Sequence, residues 1–321
     1  MKKAFGKILF ILLCIVVFAV VAFAAGRASL LRTLAESRAG YTVEWNESVG
    51  MIYADNDVDL ERQVGYDLYV PAENGDHSDT LILYLHGGGF TSGDKADSDA
   101  QMLCKYYTAK GYVCASVNYP LQKDGKSTNI NLIMDDILTQ VCSIQQEAAR
   151  LGYPITQMAA TGDSAGGGLA LLYAYRGAET SPIPVKLVFA MTGPVTFDPE
   201  KWGLTTPEDQ ADFISRFSGI TVTVDELGSE KVQQLLKAIS PAMQVTADSV
   251  PTVVAYGTKD KIVPVNLKYD LLDALDANDV DYTYIEFPNS GHAMAFDPDK
   301  TQEYLDTVAD YMEKYFGGTE Q

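Results

Sequence analysis

Short runs of apolar and β-branched residues recur along this chain, separated by stretches with a different period. Runs of strand length stand at Tyr66 to Val70, Thr80 to Leu85, Tyr112 to Asn118, Met158 to Thr161, Leu187 to Met191, Thr252 to Tyr256 and Tyr282 to Phe287. They are too short for buried helices and rich in residues that suit a pleated surface. Between most of them the apolar positions change to helical spacing. Over Ile130 to Leu151, the residues Ile130, Ile133, Met134, Ile137, Val141, Ile144 and Ala148 recur at steps of three and four. That spacing puts one apolar stripe on a helix and predicts a core-facing element. Strands alternating with helices predict an α/β fold, a mostly parallel central sheet flanked by helices. With no internal repeat and no low-complexity linker, positions 61–321 read as one domain.

The pattern breaks in three places. From Phe197 to Ile239 the chain is too long for a simple crossover and carries Trp202, Phe213, Phe217 and a helix-like stretch from Ser229 to Ala238. Long insertions in compact domains commonly serve function, so 197–239 is expected to be a small lid, with Trp202, Phe213 and Phe217 as candidate substrate-contacting residues. Positions 27–60 form an N-terminal extension able to add a cap element. Ahead of it, Lys2, Lys3 and Lys7 precede an unbroken run of apolar or small residues from Ile8 to Ala25. This run exceeds a usual signal-peptide core of about 7 to 15 residues and just reaches the length of a spanning helix. Residues 1–26 are therefore expected to be an uncleaved membrane anchor with the domain outside the cytoplasm. The alternative is a signal peptide cleaved after Ala22-Phe23-Ala24, giving a secreted protein.

The composition, 47% hydrophobic and 21% charged over 321 residues, is that of an ordinary globular enzyme. The net charge of -19 becomes more negative once the three leader lysines are set aside. Such a surface disfavours nucleic acid and other polyanions as partners and favours neutral small-molecule substrates. Beyond Cys14, the cysteines Cys104, Cys114 and Cys142 fall on a helix, a strand and a helix. An odd, scattered set gives no disulfide framework, and no metal-ligand spacing is visible. No cofactor or metal is expected.

The chemistry lies at the ends of the strand-like runs. Gly162-Asp163-Ser164-Ala165-Gly166 follows Met158 to Thr161 and precedes a run of good helix formers, the context in which G-x-S-x-G presents a nucleophile on a tight strand-to-helix turn. His86-Gly87-Gly88-Gly89 follows Thr80 to Leu85. Its backbone can approach a ligand closely and supply amides to an oxyanion, together with the amide of Ala165. The chain has only three histidines. His77 sits in a polar turn and His86 belongs to the glycine loop, which leaves His292, after Tyr282 to Phe287, as the base. The supporting acid is expected between Ser164 and His292 at the carboxyl end of a strand. Asp260 fits, in the turn after Thr252 to Tyr256, whereas Asp270 and Asp273 lie within the next helix and Asp248 precedes the strand.

Together, His86-Gly87-Gly88-Gly89, Gly162-Asp163-Ser164-Ala165-Gly166-Gly167, the Asp260 turn ending in Val263-Pro264, and Ser290-Gly291-His292 resemble the hormone-sensitive-lipase branch of the α/β-hydrolases, over about Tyr66 to Phe316. The resemblance implies an α/β-hydrolase fold and a serine carboxylesterase that cleaves short-chain or carbohydrate-linked acyl esters through an acyl-enzyme. It assigns Ser164, Asp260 and His292 as triad and Gly87, Gly88 and Ala165 as oxyanion donors. In one departure, Asn118-Tyr119-Pro120-Leu121 stands where many members carry a Tyr-Arg pair. Relatives with this skeleton also include formamidases, so an amide or formamide hydrolase on the same triad is the alternative within catalysis. A catalytically silent binding module is the alternative outside it, although this chain retains every reactive group.

Overall fold

The computed structural model describes residues 23–317 apart from positions 34, 37, 63, 74–77 and 123–127. The expected leader lies outside the described residues up to position 22, and so does His77. Among the described residues no helix is long and apolar enough to cross a membrane.

Eight strands form one sheet: β1 (Gly50–Asp59), β2 (Val64–Pro71), β3 (Thr80–Leu85), β4 (Val113–Val117), β5 (Gln157–Asp163), β6 (Val185–Met191), β7 (Thr252–Gly257) and β8 (Tyr282–Phe287), in the order β1-β2-β4-β3-β5-β6-β7-β8. β2 pairs antiparallel with both β1 and β4, and every other neighbouring pair is parallel. Each strand-like run of the sequence corresponds to a strand, although Tyr112 and Asn118 at the ends of one run fall just outside β4. β1 was not among them: it is an edge strand, largely exposed, acidic, and irregular in register at two points. Charges and bulges suit an edge that must not pair further.

Helices cover the faces: α1 (Ser98–Thr108), α2 (Ile130–Arg150), α3 (Ala165–Leu172), α4 (Pro207–Ser218), α5 (Glu230–Ile239), α6 (Lys268–Ala277) and α7 (Pro298–Phe316). α2 starts where Asn129 Oδ1 accepts from Leu132 N at 3.1 Å, satisfying one of the free amides of the first turn. Every member of its predicted stripe is buried, each side chain of that size contributing about 1.5–3 kcal/mol.

Strand alternation divides the interior into two apolar layers. Leu81, Leu83 and Leu85 of β3 join the layer beneath α2, α3 and α6, while Ile82 and Tyr84 join the layer beneath α1 and α7. The 197–239 insertion is the helix pair α4 and α5. Ile214, Val232 and Leu236 extend the α2-side layer, so its inner surface is fused to the core. Residues 23–33, the end of the expected leader and the start of the N-terminal extension, are helical. The short turn Ala39–Tyr41 then packs between α1 and α7, with Gly40 against Leu305 and Tyr41 buried.

Candidate active site

The carboxyl ends of β3, β5, β7 and β8 meet at one edge of the sheet, and each delivers one predicted group. β5 ends at Asp163 and α3 begins at Ala165, leaving Ser164 alone to turn the chain. Its φ of 52° and ψ of -125° lie where side chains rarely sit, the strained geometry that exposes a nucleophile. Glycine is required on the other side of the turn, because a Cβ on Gly166 would lie 1.9 Å from the Leu85 carbonyl oxygen.

Asp260, in the turn after β7, is buried, and its Oδ1 accepts from Ile262 N at 2.8 Å and Val263 N at 3.1 Å. Those amides hold the carboxylate so that Oδ2 lies 2.7 Å from His292 Nδ1. His292 Nε2 lies 2.8 Å from Ser164 Oγ. The Asp260 contact fixes the proton on Nδ1 and leaves Nε2 free to accept from the serine hydroxyl. The three residues assigned from sequence are thus one hydrogen-bonded chain. Asp270 is not part of it: it pairs with Lys201 at 2.5 Å in a separate cleft beside α4 and α5.

The glycine loop is brought beside this chain. A Cβ on Gly87 would stand 3.3 Å from that of Ser164, and Gly88, at φ 112°, leaves no room for a side chain against Ser92. Ala165 opens α3, where backbone amides lack partners within the helix. Gly87 thus lies against the nucleophile, with Gly88 next to Gly87 in the loop and Ala165 following Ser164 at the start of the helix. Trp202, Phe213 and Phe217 form a ring cluster with Phe197, and the cluster reaches the glycine loop through Phe90, 5.6 Å from Phe217 and 6.2 Å from Phe197.

Several supporting residues escaped the sequence reading. Tyr119 donates its hydroxyl to the His86 carbonyl at 2.6 Å and stacks on the His86 ring at 4.2 Å. His86 Nδ1 in turn donates to Gly87 O at 2.7 Å, and burial pushes the imidazole down, toward the neutral form. The motif departure at Asn118-Tyr119 is thus itself a prop for the loop, since Asn118 Oδ1 also accepts from Lys95 N at 2.7 Å. On the other side, Asp297 accepts from Ser290 Oγ at 2.6 Å and from the Asn289 amide, tying down the loop that carries His292. Burial raises the Asp297 carboxyl, but the hydrogen bonds from Ser290 and Asn289 outweigh it and hold the group below its ordinary range. Its position before Pro298 at a helix start was the available signal. Asp163 accepts from the Tyr84 hydroxyl at 2.5 Å, and burial raises its carboxyl.

A protein-family model described as BD-FAE matches residues 66–275. Esterase LipC of Mycobacterium tuberculosis is 24% identical over 224 residues, covering 66% of this chain and 52% of that protein. The chain thus spans about half the length of this curated relative. Among solved structures, inhibited esterase B from Lactobacillus rhamnosis shares 21% identity at a TM-score of 0.64, over 90% of this chain and 95% of that one. A truncated carbohydrate esterase from gut microbiota shares 18% at a TM-score of 0.66, over 85% and 99%. Butyrate-bound Est2 esterase from Thermogutta terrifontis shares 20% at 0.64, over 86% and 98%. These structural likenesses establish the α/β-hydrolase fold.

Proposed function

The chain belongs to the BD-FAE family, within the hormone-sensitive-lipase-like α/β-hydrolases, and from that footing we propose that it is a serine carboxylesterase acting on short-chain or carbohydrate-linked acyl esters. The observation that carries this is the continuous relay from Asp260 through His292 to Ser164, with contacts of 2.7 and 2.8 Å. A module that only binds has no need to hold a serine at φ 52° against an oriented imidazole.

In the proposed reaction, His292 Nε2 takes the proton from Ser164 Oγ as that oxygen attacks the ester carbonyl. The carbonyl oxygen gains the displaced electron pair and is stabilised by the amides of Gly87, Gly88 and Ala165. Collapse breaks the bond to the alcohol oxygen, which takes the proton from His292 and leaves, with the acyl group now on Ser164. Water repeats the cycle: His292 accepts its proton, the hydroxide adds, and Ser164 leaves reprotonated. Asp260 orients the imidazole and stabilises its cationic form, and no further cofactor is needed to balance these steps.

Support for a short acyl group comes from the rings beside the glycine loop. Their centroids lie 4.8–6.2 Å apart, a closely packed cluster that favours a small acyl chain over a long one. The carbohydrate esterase and butyrate-bound esterase among the structural relatives agree with this reading. Each methylene buried would contribute about 0.8 kcal/mol only while room remains. Esters from acetyl to hexanoyl should therefore be cleaved much faster than long ones, and equal turnover of C4 and C16 esters at equal monomeric concentration would refute the short-chain assignment. From the apolar run Ile8 to Ala25 behind three lysines we further propose that residues 1–26 anchor the domain on the outer side of a membrane.

A further inference from the structure

The amides of Gly87 and Gly88 can stabilise an oxyanion only if they stay unbonded until it forms. Among the described residues neither donates to an acceptor within the protein. A run of three glycines with free N–H groups has little stiffness of its own, so its shape must be held through carbonyls and through the residues that follow. Gly88 O accepts from Thr91 N and Ser92 N, both at 3.1 Å, and closes a tight turn. Gly93, at φ 102°, then brings the chain back against the loop, where a Cβ would lie 2.3 Å from His86 Nδ1 and 2.4 Å from Gly87 O. With contacts this close, a shift at residues 93–95 bears directly on the Gly87 peptide.

Lys95 ends this segment and is held twice. At its backbone, Lys95 N donates to Asn118 Oδ1 at 2.7 Å, and Asn118 Nδ2 donates to Asp94 Oδ2 at 3.1 Å. Its ammonium reaches into the edge of the sheet, 2.7 Å from Asp67 Oδ1 on β2 and 2.8 Å from Asp55 Oδ1 on β1. The Lys95 and Asp67 side chains are 9% and 6% exposed, whereas Asp55 is open to solvent. Asp55 stands at φ 54° in the bulge between Tyr53 and Asn56, and its N donates to the same Asp67 Oδ1 at 2.8 Å. The irregularity of β1 thus turns a carboxylate toward Lys95, a use to which bulges are often put. Burial alone would lower the Lys95 ammonium, but its hydrogen bonds to Asp55 and Asp67 outweigh that and keep it cationic.

A buried ion pair adds little stability over apolar side chains of the same volume, and its best-attested use is to fix one geometry among several. We propose that Lys95 is a positioning residue for the reaction: its pairing with Asp67 and Asp55 ties the far end of residues 86–95 to the edge strands β1 and β2 and so keeps the Gly87 and Gly88 amides where the oxyanion forms. The edge of the sheet then supports catalysis without touching substrate. This inference rests on the serine-esterase reading.

The test compares the full-length parent with Lys95→Met and with the double variant Lys95→Met, Asp67→Asn, which removes both buried charges yet keeps an acceptor for Asp55 N. Thermal unfolding reports stability, p-nitrophenyl acetate reports turnover, and a short alkyl trifluoromethyl ketone reports the oxyanion site. That ketone bonds through its carbonyl carbon to Ser164 Oγ, the serine proton passes to His292, and the carbonyl oxygen becomes an oxyanion against the loop amides. The double variant should unfold within a few degrees of the parent. Its kcat should fall about tenfold to a hundredfold with KM within about twofold, and Ki for the ketone should rise by the same factor as kcat falls. Lys95→Met alone should show the same loss with a lower unfolding midpoint, because Asp67 then lacks its buried partner. A folded double variant with kcat and Ki within twofold of the parent would overturn the proposal. So would a fall in kcat at unchanged Ki, which marks lost enzyme rather than displaced amides, or a double variant that does not fold, which makes the pair a stabilising element alone. A parent that neither cleaves p-nitrophenyl acetate nor binds the ketone would instead strike the reading beneath, and the positioning role with it.

Discussion

Ser164 is held by its neighbours rather than by its own preference. A residue with a side chain at φ 52° stores strain on the order of 1–3 kcal/mol, and the close approach of Gly166 to the Leu85 carbonyl over-determines the turn. The three triad members contribute unequally. Ser164→Ala should abolish turnover, whereas Asp260→Asn should cost on the order of 10⁴ in kcat, because the imidazole loses its orienting acceptor while the oxyanion amides remain. Asp270→Asn is the control, since Asp270 pairs with Lys201 in a different cleft; kcat should stay near the parent value. Steady-state kinetics on p-nitrophenyl acetate check this, and greater damage from Asp270→Asn than from Asp260→Asn would reverse the assignment. At this scale the sequence was highly legible. A motif, a scarcity of histidines and chain order were enough to select Ser164, Asp260 and His292. The role of Tyr119 was not legible, and for Asp297 only the helix start before Pro298 was, because their contacts to a carbonyl and a loop form only in the folded chain.

Among elements, the loop from β8 to α7 decides whether His292 stands in place. Asp297 receives Ser290 Oγ and the amide of Asn289, while Phe296 N donates to Ser290 Oγ at 2.9 Å. Because the folded carboxyl lies below its ordinary range, its contribution is fully present above the unfolded value of about 3.9 and fades as pH falls through the lower folded value. Asp297→Asn removes the charge and one of the two accepting oxygens at every pH and should cost about 1–3 kcal/mol of stability at pH 7, with a fall in kcat. The stability gap between parent and variant should narrow below about pH 4 as the parent's carboxyl protonates. Thermal unfolding at pH 7, 5 and 3 measures this, and a gap independent of pH would show that the charge plays no part. The long stripe of α2 was readable because seven apolar positions repeat one period. β1 was not, since its acidic, bulged edge carries little alternation to read.

Across the whole molecule, the sheet separates two kinds of surface around one nucleophile. The face under α2 and the 197–239 insertion brings the packed rings of Phe197, Phe213 and Phe217 to the glycine loop through Phe90, and the face under α1 and α7 opens a tyrosine-lined cavity. Both flank an edge that the parallel strand order makes inevitable once β3, β5, β7 and β8 point the same way. The insertion was visible as excess length, but its integration into the α2-side core depends on Ile214, Val232 and Leu236, which the spacing of aromatics did not single out. For the amino terminus, the proposed anchor predicts that the full-length chain partitions with membranes, whereas a chain beginning at Arg27 is soluble and equally active. Recovery of a soluble exported protein whose first residue is Ala25 would replace the anchor with a cleaved signal. Covalent catalysis at Ser164 is open to peptide mass analysis after treatment with an organophosphonate ester. One adduct is expected, on Ser164, forming in step with loss of esterase activity and absent from folded Ser164→Ala. Folded parent that stays unlabelled, or carries its adduct on another residue, would contradict that role for Ser164.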